Sequence, residues 1–402
     1  MEQQHIWSYY DIEKAYLDCI KNKEHSFGLR MFNENLSENL YNLLISLNND
    51  TYEIGQSITF IVEKPVYREV FAANFADRIV HHLLINETLK YFEEFFHPNS
   101  YACRKGKGVL YGVESVYNQL KEISENYTKD VYVLKLDLKS FFMSINKELL
   151  AYLVNAFIEN KYPDNKKKNF IKKLFKQIIL HRPENNCIKV GNIKLRDKLE
   201  YGKSLFDRDG TSGLAIGNLT SQILANFFLT FLDNYITKDL GFKYYGRYVD
   251  DFVILSTDKE KLKIAVKKIE EFCENKLNII LHPKKRQIIH YSKGFKFIGT
   301  VIKKNQKHNI TRTKNKLKDI IYNNPTPNIN KAKDVMTKFN SYLGFLIHSH
   351  SFKYRRKMVK KFLYDCGWSK YFNTDKIFSK IIFNKESTEV LIKKTLDESF
   401  YL

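Results

Sequence analysis

The sequence lacks the features of a disulfide-stapled scaffold and of a membrane anchor. Its five cysteines are scattered, odd in number and contain no Cys-x-x-Cys pair, which argues against a disulfide framework or a zinc ribbon. We expect reduced, mostly buried thiols. No run of about 18 apolar residues occurs, so no membrane span is expected. The amino terminus lacks a basic stretch followed by an apolar block, which predicts a cytoplasmic protein without a secretory signal.

Acidic residues are the scarcer charged class. The 402 residues include 66 Lys plus Arg against 45 Asp plus Glu, a net charge of +21. Such an excess repels itself unless a polyanion is near, and nucleic acid is the usual polyanion in a cytoplasm. A Lys-rich chain can also reflect a biased genome, so charge alone leaves both explanations open. The length fits two or three lobes of ordinary domain size.

Hydrophobic patterning predicts a chain of mixed helices and strands. Helical periodicity covers residues 8–48, 78–96, 217–238 and 259–277. Strand patterns cover residues 57–62, 66–71, 131–138, 244–255, 278–282 and 295–302. The region beyond residue 311 is Lys-rich and helical, which predicts a separate helical lobe.

Three aspartates stand at the ends of predicted strands. Asp250 and Asp251 occupy the tip of the predicted hairpin, where their repulsion is costly unless cations lie between them and a third carboxylate. Asp137, near the end of another strand, can supply that carboxylate. Such a trio can hold two divalent ions about 4 Å apart for phosphoryl transfer, and hard oxygen ligands favour magnesium. An isolated Asp-Asp pair is more often a solvated turn, so residue type alone does not decide.

The neighbours of these aspartates resemble the boxes of reverse transcriptases. YVDD (residues 248–251) resembles the Y-x-D-D box, and LDLKSFF (136–142) resembles the first catalytic box, in the family's order. The resemblance implies an α+β right-hand polymerase with fingers, a palm built on an antiparallel sheet, and a helical thumb. It implies an RNA-directed DNA polymerase in which the three aspartates and the Leu138 carbonyl hold two Mg²⁺ ions, with Mn²⁺ as an alternative.

The resemblance also implies a nucleotide site. Phe142 matches the aromatic residue that excludes a 2′-hydroxyl, and GLAIGNLTSQ (213–222) resembles the second box. YACRKGKG (101–108) resembles the fingers motif that grips the triphosphate, and LHPKK (281–285) resembles the box whose Lys approaches pyrophosphate. The implied nucleotide-binding residues are Arg104, Lys105, Phe142, Ile216, Gly217, Gln222 and Lys285.

The primer and template are assigned to other positions by the same resemblance. FIG (297–299) resembles the primer grip, and two arginines in the stretch 64–84 match fingers positions, although a surface salt bridge explains each arginine equally well. The implied primer and template residues are Tyr248, Phe297, Gly299, Arg68 and Arg78.

The second box bears on the subfamily. Its I-G-N-x-x-S-Q form resembles diversity-generating retroelements, because Ile216 stands where many other relatives have Gln. Those retroelements usually have Pro where this chain has Ala215. A reverse transcriptase of antiphage defence with a dedicated noncoding RNA is the first alternative. A non-catalytic RNA-binding protein on a polymerase scaffold is the second.

The resemblance implies three lobes and a set of partners. We expect N-terminal helices and fingers at 1–125, a palm at 126–310 that includes part of the fingers at about 155–212, and a helical thumb with a C-terminal segment at 311–402. The implied partners are a cognate structured template RNA, the cDNA product and deoxynucleoside triphosphates. An accessory protein or a homo-oligomer is left open, and no membrane partner is expected.

Overall fold

The chain folds into two compact units. The computed structural model describes residues 6–21, 26–63, 66–309 and 311–388. The first unit comprises residues 1–108 and 134–288, and the second comprises residues 109–133 and 289–402. The predicted lobes (1–125, 126–310 and 311–402) follow the expected fingers, palm and thumb, whereas the two units follow contacts within the chain. The lobes therefore stay a prediction.

Helices and strands alternate along the described residues. The helices are α1 (Tyr9–Ile20), α2 (Phe27–Asn33), α3 (Leu36–Asn48), α4 (Phe75–Phe95), α5 (Val109–Ile123), α6 (Phe141–Ser144), α7 (Lys147–Lys161), α8 (Asn165–Leu180), α9 (Leu219–Asn234), α10 (Lys259–Leu277), α11 (Thr311–Asn323), α12 (Ile329–Ile347) and α13 (Phe352–Lys360). The strands are β1 (Ser57–Val62), β2 (Arg68–Ala72), β3 (Tyr132–Asp137), β4 (Cys187–Lys189), β5 (Tyr245–Tyr248), β6 (Asp251–Ser256), β7 (Gln287–His290), β8 (Phe295–Phe297), β9 (Thr300–Lys303), β10 (Gln306–Asn309), β11 (Phe372–Thr374) and β12 (Ile381–Phe383).

Two sheets carry the residues that matter most for the site. A four-stranded sheet has the order β5-β6-β3-β7, so the ends of β3 and β6 lie side by side. A three-stranded sheet has the order β2-β1-β4, in which β1 is antiparallel to β2 and parallel to β4. Strand β6 is buried from Phe252 onward, as its apolar sequence predicts.

The core of the first unit fixes helix α9 in place. Phe227 of α9 packs against Phe92 of α4 and Phe157 of α7, with ring centroids 5.4 and 5.1 Å apart. Most residues of α9 are buried, which its apolar sequence requires. Because α9 begins two residues after Gly217, this packing also positions the glycine turn that precedes it.

The second unit has its own core. Helices α11 to α13 bury a cluster that includes Phe339, Phe362 and Trp368, and the Phe339 and Phe362 rings stack at 4.5 Å. Strands β8, β9 and β10 form one antiparallel sheet, and β11 pairs with β12. The β11–β12 hairpin interrupts a region that the sequence predicts to be entirely helical.

Two other sequence predictions differ from the structure, and one strand was not predicted. The strand predicted at 278–282 does not form, because Asn278 caps α10 at φ +53° and Pro283 follows; only the bridge Leu138–Leu281 remains. Strand β4 was not predicted from the sequence. The cysteines were expected to be mostly buried, but only Cys19 and Cys273 of the five free cysteines are buried.

Among the described residues, no helix has the length and the apolar character that a membrane span requires.

Candidate active site

The two adjacent aspartates lie at the turn of the β5–β6 hairpin. Tyr248 pairs with Asp251, so Val249 and Asp250 form a two-residue turn. Val249 has φ +57°, a left-handed conformation that a β-branched residue adopts only at an energetic cost. Arg247 Nη1 donates a hydrogen bond of 3.0 Å to the Val249 carbonyl oxygen, which helps to hold the turn.

A buried ion pair joins this hairpin to helix α9. The side chains of Arg247 and Asp233 are fully buried, and the Arg247 Nε and Nη2 atoms each lie 2.7 Å from a carboxylate oxygen of Asp233. The Tyr245 hydroxyl donates to Asp233 at 2.6 Å, and Arg247 Nη1 donates to Asn226 Oδ1 at 3.1 Å. These hydrogen bonds compensate the burial of the two charges and fix β5 against α9.

Asp137 lies at the end of β3 and forms an ion pair with Lys285. Lys285 Nζ is 3.1 Å from Oδ1 and 3.0 Å from Oδ2 of Asp137. The Asp137 backbone carbonyl accepts a hydrogen bond of 2.8 Å from the His282 amide, which brings the segment after α10 alongside the end of β3. A lysine ammonium group therefore neutralises the carboxylate that is predicted to bind metal.

A second lysine neutralises Asp251. Lys135 Nζ lies 3.1 Å from both Asp251 oxygens, but only Oδ2 accepts a hydrogen bond with suitable geometry. Asp251 Oδ1 is buried and has no hydrogen-bond partner within the described residues. A buried carboxylate oxygen without a hydrogen bond is costly, and a bound cation would satisfy it in addition to the ion pair with Lys135.

The three carboxylates influence one another electrostatically. Burial and the negative charges of Asp137 and Asp251 raise the pKa of Asp250 to about 6. Burial also raises the pKa of Asp251, against the opposing effect of Lys135. The repulsion and the hard oxygen donors fit a divalent cation. Among the described residues, no group of three or more His, Cys, Asp or Glu side chains is arranged to hold a metal ion.

The raised pKa of Asp250 predicts how stability depends on pH without metal. The folded protein keeps a proton on Asp250 up to about pH 6, whereas the unfolded chain releases it near 3.8. We therefore expect ionisation of Asp250 to lower the free energy of unfolding as pH rises from 4 to 6, by at most about 3 kcal/mol. Urea unfolding of the wild type and of Asp250→Asn measures this as a difference. Mg²⁺ should reduce the difference, and equal pH slopes for the two proteins would contradict the assignment.

Asp137 and Asp250 line one cavity of about 370 Å³, a volume suited to a small ligand. The predicted site residues that line it are Arg68, Asp137, Leu138, Phe142, Ile216, Asp250 and Lys285. Phe142 is partly exposed there, whereas the side chain of its neighbour Phe141 is only 2% exposed and packs edge-on against the Phe142 ring. Both rings line the cavity, but only that of Phe142 is partly exposed.

Leu138, the residue after Asp137, forms an isolated antiparallel β-bridge with Leu281 in the segment after α10. The hydrogen bonds on either side of this bridge run between the neighbouring residues, from His282 to Asp137 and from Lys139 to Ile280. In an antiparallel bridge of this kind the central residues do not bond to each other. The Leu138 carbonyl is thus directed away from Leu281, and the residue lines the cavity.

The triphosphate contact of Arg104 stays a prediction, and in the structure its guanidinium group contacts neighbouring groups of the chain. The Arg104 guanidinium lies 2.8 Å from the Glu93 carboxylate and donates to the carbonyl oxygens of His97 and Ser100 at 2.8 and 3.2 Å. Its side chain is only 7% exposed. Neither Arg104 nor the exposed Lys105 lines the cavity. The donors of Arg104 are used to fix the chain after α4.

Gly217 and Arg78 line a neighbouring cavity of about 210 Å³. Gly217 has φ +125°, and a Cβ atom there would lie 2.6 Å from the Phe71 carbonyl oxygen, so only glycine fits. The Phe71 amide donates to the Ile216 carbonyl at 2.8 Å, which ties this turn to β2. Arg78 Nε donates to the Ala73 carbonyl at 2.8 Å.

The remaining predicted residues do not line the cavity of Asp137 and Asp250. Gln222 is exposed on the first turn of α9, and Tyr248 is partly buried at the end of β5. Phe297 is buried in β8 of the second unit, and Gly299 follows it with φ +73°.

Sequence reasoning missed two sets of residues at the site. The turn at 200–203 contributes Glu200, Tyr201 and Lys203 to the cavity wall, and nothing in its local pattern indicated this. The buried ion pair of Arg247 in the hairpin with Asp233 of α9 did leave a signal, since a charged residue in an otherwise apolar strand requires a buried counter-charge.

Comparison with known proteins identifies the family of the chain. The profile of the family described as reverse transcriptase (RNA-dependent DNA polymerase) matches residues 62–302, more than half of the chain. The chain belongs to the reverse transcriptase family. Its α+β right-hand fold is the one that the resemblance of its boxes predicted.

Solved structures of telomerase are similar to the chain at low identity. Apo telomerase from Candida tropicalis gives a TM-score of 0.48 and 14% identity over 78% of this chain and 56% of that one. Telomerase from Candida albicans in complex with a fragment of telomeric RNA gives 0.45 and 12%, over 78% of this chain and 59% of that one. The chain thus spans less than two thirds of these telomerases. The search of curated proteins finds no match.

Proposed function

We propose that the chain copies a cognate structured RNA into cDNA at the cavity of Asp137 and Asp250. The carrying observation is that these two carboxylates share one cavity and that repulsion helps to raise the pKa of Asp250 to about 6. Asp137, Asp250, Asp251 and the Leu138 carbonyl would hold two Mg²⁺ ions. Bound there, the ions would activate the primer hydroxyl and stabilise the leaving oxygen.

The chain's own residues would orient the nucleotide. Arg68 and Lys285 are the cations of the predicted set that line the cavity, and they suit the triphosphate. Once Lys285 releases Asp137, its ammonium group becomes available to the phosphates. Ile216 and Gly217 would support the template and the incoming nucleotide, because the glycine turn is tied to β2 and carries no side chain.

Primer extension on an RNA template tests this proposal. We expect synthesis to require Mg²⁺, to stop with chelator and to recover when the ion is restored. Activity should rise more steeply than first order in free Mg²⁺ if two ions act together. Full activity in chelator, or full activity of Asp137→Ala, would contradict the proposal.

Phe142 provides a prediction about the sugar. The ring is partly exposed in the cavity, so removing it should give a 2′-hydroxyl room, and Phe142→Ala should use ribonucleotides about 10- to 100-fold better relative to deoxynucleotides. Competition between the two nucleotides during primer extension measures the ratio. Tyr152→Ala, which removes a 69% exposed ring on α7, is the control and should leave the ratio unchanged. An unchanged ratio for Phe142→Ala would remove Phe142 from sugar selection.

We place the chain in a diversity-generating retroelement, on the I-G-N-x-x-S-Q form of the second box and on Ile216 at the cavity wall. An aliphatic side chain offers no hydrogen bond to a base, which fits less selective copying. Sequencing the nucleic acid that copurifies with the protein tests the assignment. An RNA spanning a template repeat supports it, whereas a single dedicated noncoding RNA would favour the antiphage alternative.

A further inference from the structure

A turn outside the recognised boxes forms part of the cavity wall. Glu200, Tyr201 and Lys203 line the same cavity as Asp137 and Asp250. Tyr201 is 90% exposed, more than any other large hydrophobic side chain of the described residues. An aromatic ring held out from the core at the edge of a polymerase cavity offers a flat surface to a base.

The charged residues of this turn interact with groups that lie next to the catalytic carboxylates. Glu200 forms an ion pair of 2.6 Å with Lys203. The hydrogen bond from Lys203 lowers the pKa of Glu200, and the nearby charges of His282 and Lys285 contribute. Since Lys285 also binds Asp137, one short series of charged groups connects the turn to the metal-binding carboxylate.

The base of the turn is rigid. The Gly202 amide donates to Asp207 Oδ2 at 2.8 Å, and Arg208 donates to the Gly202 carbonyl at 2.8 Å. The Ser204 hydroxyl and the Leu205 amide both donate at 2.9 Å to the buried carboxylate of Glu69 in β2. The exposed position of Tyr201 therefore follows from a fixed backbone.

Glu69 also connects the turn to strand β2. It directly follows Arg68, which lines the cavity, and its other carboxylate oxygen accepts from Arg196 Nη1 at 2.6 Å. One buried side chain thus holds the turn next to the start of β2. Residues from two distant stretches of the chain present an aromatic ring and cations to the same space.

We propose that this turn is a nucleotide subsite, a proposal that rests on the proposed function. The ring of Tyr201 stacks on the base of the incoming nucleotide, and Lys203 exchanges Glu200 for the triphosphate. Stacking is tolerant of base identity because every base has a π face, which suits a polymerase that must accept all four nucleotides. Glu200 keeps Lys203 in place before the nucleotide arrives.

Steady-state primer extension at varied nucleotide concentration tests the subsite. We expect Tyr201→Ala to raise the KM for each deoxynucleotide about tenfold or more, with kcat changed less than about threefold. Tyr201→Phe keeps the ring and should restore the KM, whereas a residue that only supports the fold would not respond in this way. Tyr152→Ala is the matched exposed-tyrosine control.

The charged residues give a second readout. Lys203→Gln should raise the KM, whereas Lys263→Gln, which changes an exposed lysine of α10 outside the cavity, should not, because only Lys203 contacts the triphosphate in the proposed complex. A wild-type KM for Tyr201→Ala would overturn the subsite, and so would a loss in Tyr201→Phe as large as in Tyr201→Ala, since the hydroxyl would then be the required group. Failure of the wild type to extend any primer would instead overturn the proposed function.

Discussion

Asp250→Asn is expected to lower RNA-templated extension by about 10³-fold or more without unfolding the protein. The substitution removes a carboxylate that lines the cavity with Asp137, and losing about 4 kcal/mol of transition-state stabilisation corresponds to that factor. It also removes the repulsion that helps to raise the pKa of Asp250 to about 6, so above that pH the metal-free variant should be at least as stable as the wild type. Primer extension and thermal unfolding measure the two effects.

A matched control separates the loss of a catalytic charge from the loss of any charge. Glu260 lies in α10, its side chain is 71% exposed, and it forms a surface pair with Lys263. Glu260→Gln makes the same change from carboxylate to amide and should leave extension within about twofold of wild type, because exposed ion pairs contribute little. Activity of Asp250→Asn comparable to that of this control would refute a catalytic role for Asp250.

Asp233→Asn is expected to destabilise the first unit by about 3–5 kcal/mol, although it lies outside the cavity. The substitution leaves the fully buried Arg247 without its counter-charge, and an unpaired buried charge is far more costly than a lost surface pair. Because Arg247 also bonds the Val249 carbonyl at the turn, extension should fall as well. Urea unfolding followed by circular dichroism measures the stability.

The double variant Asp233→Leu/Arg247→Met tests whether the loss of stability comes from the unpaired charge of Arg247 or from the packing around the ion pair. If the unpaired charge causes the loss, removing both charges should recover much of the stability. The activity should recover less, because Met cannot donate to Val249. A double variant as unstable as the single one would show that packing around the pair, rather than charge, dominates.

The carboxylate positions were predictable because their signals are local. The alternating pattern up to Asp137 and the apolar strand after Asp251 place these residues at strand ends, and the structure has both strands. The resemblance assigned Phe142, rather than Phe141, to the nucleotide site. Both rings line the cavity, and the helical turn α6 buries Phe141 while Phe142 stays partly exposed.

Other parts of the site depend on contacts between distant stretches, which no local pattern reports. Arg104 has the residue type of a phosphate ligand, but Glu93, eleven positions earlier, occupies its guanidinium group. The turn that carries Tyr201 reaches the cavity because Glu69, 135 positions from Ser204, holds it there. A segment without strand or helix periodicity gives no indication of such a position before the fold is known.

The parallel pairing of β1 with β4 has a consequence for biosynthesis. Ser57 of β1 pairs with Cys187 of β4, so about 130 further residues must be synthesised before β1 has its second neighbouring strand. At synthesis rates of about 5–20 residues per second this delay lasts roughly 7 to 26 seconds, during which one edge of β1 is uncovered. Nascent chains stalled before residue 187 should therefore expose a strand edge whose backbone N–H and C=O groups are unpaired, and should recruit chaperones.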